Sequence, residues 1–124
     1  MLDWNEYRQQ ISSAVGEIAK LSPDTVRGYV QMGGAVAKTG KLDAKTRELI
    51  ALAVAVTRQC DGCITVHTDA AVKHGATREE IVEALGVAIA INAGAALVYS
   101  ARALDAYAAR TAASPTAATS SGSQ

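Results

Sequence analysis

Both cysteines and both histidines of this chain fall within one short stretch, QCDGCITVHTDAAVKHG, Gln59–Gly75. On a helix at 100° per residue, Cys60 and Cys63 lie about 60° apart around the axis, Cys63 and His67 about 40°, and Cys60 and His67 about 20°. One stripe therefore carries two thiols and an imidazole. In the first turn of a helix, free N–H groups and the helix dipole favour a thiolate, the form of cysteine that attacks a disulfide or a peroxide. His67, one turn beyond Cys63, brings the side chain whose ordinary pKa lies nearest neutral pH, and it is placed to take up or return a proton. The preceding helix offers a carboxylate, Glu48, as an orienting group for the imidazole. Spacing alone does not show contact, and an exposed charge near a helix start is an equally good account of Glu48.

The same residues admit other chemistry. Two cysteines on one helix can be small core residues. Cys60, Cys63, His67 and Glu48 would also supply four zinc ligands, although a helical CxxC without a second paired motif is a weak zinc signature. Covalent haem is excluded, because Ile64 follows the CxxC where a histidine is required. His74 shares the stripe but lies about 10 Å farther along, where the end of its own helix is the nearer partner. Asp61 points elsewhere and is a candidate helix cap that would disfavour a thiolate. Trp4, Tyr7, Tyr29, Tyr99 and Tyr107 read as packing or interface residues.

Caps and periodicity predict the elements that hold these groups. Asp3 caps a first helix through about Ala19, and Ser22-Pro23 opens a second that Gly40 closes. Asp43 caps a third, from Ala44 to Arg58, whose LIALAVAV run (Leu49–Val56) is apolar on every side and is expected to be buried all round. Glu48, Leu52, Ala55 and Gln59 lie along one side of that helix. A fourth helix spans Cys60–His74 and stops at Gly75, and Thr77 with Glu80 forms a capping box that opens a fifth. The remaining apolar sequence reads as one or two helices with a break near Asn92 and Gly94. No strand is evident. The expectation is an all-α bundle of five to six helices, a single domain over residues 1–110 and a disordered tail over 111–124.

Composition narrows the function. Twelve basic residues balance twelve acidic ones in 124, so no long-range field draws in nucleic acid or an anionic membrane surface. The first ten residues lack the basic and apolar regions of an export signal, which points to the reducing cytoplasm, where two cysteines are seldom a structural staple. Ala84–Ala101 is free of charge over eighteen residues. Its Ala and Gly content, with Asn92 and Ser100, argues against a membrane span. An apolar helix of this kind exceeds what one small chain can cover, and a homo-oligomer is expected.

Glu48, then Cys60-Asp61-Gly62-Cys63, then His67, followed by HG and the TREEI helix start, resembles the AhpD-like alkylhydroperoxidases of the carboxymuconolactone decarboxylase family, from about Thr39 to Tyr107. The resemblance implies an oligomeric all-α bundle, favouring a trimer or hexamer. It implies a redox-active Cys60–Cys63 disulfide served by a Glu48 and His67 proton relay, with no metal and no other cofactor. The substrate it implies is a peroxide or a disulfide, with an external thiol reductant or reductase to reset the site. By resemblance Cys63 is the attacking thiol, whereas the dipole slightly favours Cys60. The characterised alkylhydroperoxidases carry a histidine immediately before the second cysteine, and here that position is Gly62, which shuttles no proton and opens the way to a disulfide substrate. Two other functions stay open: a decarboxylase-like lyase or isomerase with His67 as acid/base, a branch that lacks the CxxC pair, and a non-catalytic oligomeric interaction protein.

Overall fold

A computed structural model describes residues 1–112. Six helices and no strand occur among them: α1 (Trp4–Leu21), α2 (Pro23–Lys38), α3 (Ala44–Thr57), α4 (Asp61–Lys73), α5 (Arg78–Tyr99) and α6 (Ala101–Ala112). The fold is all-α, as the patterning requires. Thr111 and Ala112, expected from their composition to begin a tail, form the last turn of α6. The rest of that expected tail, 113–124, lies outside the described residues.

Local chemistry explains most of the boundaries. The Asp3 carboxylate accepts the Glu6 N–H at 3.1 Å, and Asp43 accepts that of Thr46 at 2.8 Å, which satisfies orphan donors in the first turns of α1 and α3. The hydrogen bonds from Thr46 also hold the Asp43 carboxyl below its usual range. Before α5 the capping box closes in both directions: Glu80 N–H to Thr77 Oγ1 at 3.1 Å, and Thr77 N–H to Glu80 Oε1 at 3.0 Å. Ser22 precedes Pro23 as expected, yet its hydroxyl meets that of Thr25 at 2.8 Å and makes no cap to the backbone.

Two expectations are corrected. Asn92 and Gly94 do not break α5, which runs on to Tyr99. The interruption falls at Ser100, whose hydroxyl donates to Ala96 O at 2.7 Å and whose N–H is divided between Ala96 O and Leu97 O. A serine bonding back to the i−4 carbonyl competes with the helical ladder, whereas a glycine at negative φ need not. The helix α3 is not buried all round either. Leu52 and Ala55 are buried, but Ile50 and Val54 are about half exposed, at 49% and 56%. Its neighbour α4 packs on one face, and among the described residues Ile50 and Val54 keep about half of their surface free.

The chain divides into two compact units, Met1–Ala88 and a second beginning at Ile89. In the first, α3 packs on α4, and α1 packs on both α2 and α4. The small core comprises Leu52, Ala55, Ala71 and Ala88, with Thr65 as its buried polar member. Thr65 donates its hydroxyl to Trp4 O at 3.0 Å, and Arg8 pairs with Asp69 at 2.9 Å. These two links tie α1 to α4. In the second unit no described residue is buried, and Ile89, Ile91, Leu97, Val98, Leu104 and Tyr107 are exposed. The stretch Arg78–Ala112 is long and apolar enough to cross a membrane, by length and composition alone.

Candidate active site

The turn between α3 and α4 delivers the CxxC. Past the end of α3, Gln59 N–H bonds to Val56 O at 3.2 Å and Cys60 N–H to Ala55 O at 3.1 Å, the pair of bonds that defines a Schellman ending. Such an ending needs a left-handed residue, and Gln59 supplies it at φ +52°. A non-glycine residue there costs on the order of 1 kcal/mol. Gln59 therefore lies beyond α3, not along its side as helical spacing alone predicts. The end of α4 is built alike, with Gly75 at φ +83° and the bonds Gly75 N–H to Val72 O and Ala76 N–H to Ala71 O. His74 is the C-cap there, away from the cysteines.

Cys60 is the N-cap of α4, and its Sγ accepts the Cys63 N–H at 3.2 Å. Asp61 is the first residue of the helix and not its cap. Cys60 and Cys63 are joined as a disulfide, their Cα atoms 5.2 Å apart. One turn past Cys63, His67 Nδ1 meets Glu48 Oε2 at 2.7 Å, with both side chains largely covered, at 32% and 21% exposure. With the carboxylate as acceptor, Nδ1 carries the hydrogen in the neutral ring and Nε2 is the basic nitrogen. The four residues named from the sequence thus form two bonded pairs, Cys60–Cys63 and Glu48–His67. Glu48 is no mere surface charge.

The disulfide and His67 open onto a cleft of about 920 Å³. Its far wall comes from α1 through Tyr7, Ile11 and Val15, and from α2 through Tyr29. Sequence reasoning missed this wall, reading Tyr7 and Tyr29 as packing or interface residues and leaving Ile11 and Val15 without a role. The signal was the apolar stripe Tyr7, Ile11, Val15 and Ile18 on α1, whose spacing marks a covered face without saying what it covers. Asp69, on the same α4, is held below the usual carboxylate range by Lys73, with Arg8 adding to the effect. Among the described residues, no group of three or more His, Cys, Asp and Glu is arranged to hold a metal ion.

Residues 23–106 match the model of the carboxymuconolactone decarboxylase family. The chain belongs to that family. It is 50% identical over 105 residues to an uncharacterized protein of Haemophilus influenzae, covering 85% of this chain and 93% of that one. It is 39% identical over 93 residues to uncharacterized protein 4 in the cox locus of Paracoccus denitrificans, covering 75% and 84%. The crystal structure of an apo carboxymuconolactone decarboxylase family protein from Legionella pneumophila is similar at TM-score 0.68 and 40% identity, covering 84% of this chain and 93% of that one. A crystal structure from Methanobacterium thermoautotrophicum is similar at TM-score 0.66 and 29% identity, covering 72% and 97%. The span matched by the carboxymuconolactone decarboxylase family model includes Glu48, Cys60, Cys63 and His67 but begins after α1. The cleft is thus built partly from outside it.

Proposed function

We propose that the protein is a dithiol oxidoreductase that passes two electrons from Cys60 and Cys63 to a peroxide or a disulfide, with Glu48 and His67 handling the proton. The reading rests on one observation above all: the joined Cys60–Cys63 pair and His67, whose Nδ1 meets Glu48, line one cleft. With a hydroperoxide, the Cys63 thiolate attacks the terminal oxygen, an S–O bond forms, the O–O bond breaks, and the alcohol leaves with a proton returned by His67. Cys60 then attacks the sulfenic sulfur, the disulfide forms and water departs. With a disulfide substrate, attack gives a mixed disulfide and Cys60 displaces the second thiol. An external dithiol must take each cycle back to the start. The chemistry calls for no metal or organic cofactor. A lyase using His67 alone would leave the paired cysteines without a role.

Counting free thiols tests this reading. Reduced protein should show two thiols per chain, and one equivalent of hydroperoxide or small disulfide should consume both. Mass spectrometry should then find an intramolecular Cys60–Cys63 link. Thiols that stay free under a several-fold excess of each oxidant would refute it.

A homo-oligomer, trimer or hexamer, is part of the same proposal. Tyr29, Val30, Met32 and Val36 of α2 are exposed at 57–70%, and Leu97 and Val98 of α5 are both 75% exposed. Leaving one such side chain in water forgoes about 1.5–3 kcal/mol of burial, so faces of this size call for partners. Light scattering at micromolar concentration should give three or six times the chain mass. A monomer would contradict it.

A further inference from the structure

The half of the cleft that faces the disulfide is set by α1, the helix that precedes the family-matched span. That helix is anchored by the Thr65 hydroxyl on Trp4 O and by the Arg8–Asp69 pair, so its position over α4 is built. It meets the CxxC at Gly62. A Cβ placed on Gly62 would stand 3.7 Å from Cγ2 of Ile11 and 3.9 Å from its other two outer carbons. That is ordinary van der Waals range, so the Ile11 side chain reaches the backbone between the two cysteines and lines the same cleft as Cys60 and Cys63.

Around Ile11, the stripe continues with Tyr7 one turn before and Val15 one turn after, and Tyr29 of α2 lines the same space. We infer that Ile11, seated over Gly62, is a specificity-determining residue of the dithiol site, selecting two-electron oxidants that carry an apolar body next to the O–O or S–S bond. This rests on the dithiol reading above. The physical reason is that an aryl or branched alkyl group buries surface on this half-exposed aliphatic stripe in the attacking position, while a polar oxidant leaves it in water.

The test compares ratios, because intrinsic reactivity then cancels. Reduced full-length protein is mixed under single-turnover conditions with cumene hydroperoxide or hydrogen peroxide, and separately with dithiodipyridine or cystamine. In Ile11→Ala the apolar-to-polar rate ratio should fall about tenfold, the range expected for lost aliphatic contact in a pocket. Ile11→Leu, which keeps the contact and the helix, should restore it. The pair of oxidants whose ratio moves identifies whether peroxide or disulfide is the substrate class. An unchanged ratio in Ile11→Ala, or both members of a pair slowing equally, would overturn the role of Ile11 while leaving the dithiol chemistry standing. Failure of the unmodified protein to react with any of the four would overturn both.

Discussion

Cys63→Ser should abolish turnover, and Cys60→Ser should permit a single attack and then stop. The asymmetry follows from position. Cys63 is the sulfur one helical turn from His67, whereas Cys60 sits at the N-cap with its Sγ on the Cys63 N–H. In Cys60→Ser the attacking thiol keeps its base, but no second thiol is present to resolve the product, so a sulfenic acid or mixed disulfide accumulates at Cys63. The variant should also fold, because serine is among the best N-cap residues and its hydroxyl can take over the Cys63 N–H. Reaction of each reduced variant with one equivalent of hydroperoxide or small disulfide, followed by dimedone trapping and intact mass, reads the outcome directly. A trapped adduct in Cys63→Ser in place of Cys60→Ser would exchange the two roles.

The second large effect belongs to the imidazole. His67→Gln should slow thiol oxidation at neutral pH by about 10²-fold, the lower end of what a positioned general base contributes. Without that base the attacking cysteine must supply its own thiolate, so the deficit should shrink as pH rises past the ordinary thiol pKa of about 8.5. Glu48→Gln should show a smaller loss, about tenfold, in the same direction, because the amide still reaches Nδ1 but no longer fixes the tautomer through a 2.7 Å carboxylate contact. The profile of rate against pH separates this from general loosening of the site, which would lower the rate equally at all pH values. Parallel profiles for the unmodified protein and both variants would remove the relay from the mechanism.

The proposed division of labour also accounts for the missing histidine at position 62. In the resemblance, that residue stands beside the second cysteine; here the position is Gly62, with Ile11 of α1 within van der Waals range of it. In the proposed mechanism, proton handling falls to the Glu48–His67 pair, and Ile11 adds an apolar side chain to the cleft that Cys60 and Cys63 line. The electrostatics elsewhere are those of surface pairs: Lys45 and Glu80 meet at 2.7 Å, each stabilising the other's charge, so that the lysine is shifted up and the carboxyl down. Their link joins α3 to the start of α5 without touching the cysteines.

Features that depend on neighbours along the chain were legible in the sequence. Asp3, Asp43 and the Thr77–Glu80 box mark helix starts because a cap is a bond across three residues, and Gly40 and Gly75 mark ends because a left-handed residue is needed there. The common stripe of Cys60, Cys63 and His67 comes from the helical period alone. What spans greater separations was decided by tertiary packing. Glu48 and His67 belong to different helices, and their carboxylate–imidazole contact depends on how α3 lies against α4, which no periodicity specifies. The bond from Thr65 to Trp4 crosses 61 residues and brings α1 over the CxxC, turning an ordinary amphipathic stripe into the wall of a cleft. Packing also decided the fate of α3: its hydrophobic residues made burial on all sides favourable, but α4 packs on one face of it, and Ile50 and Val54 stay about half exposed.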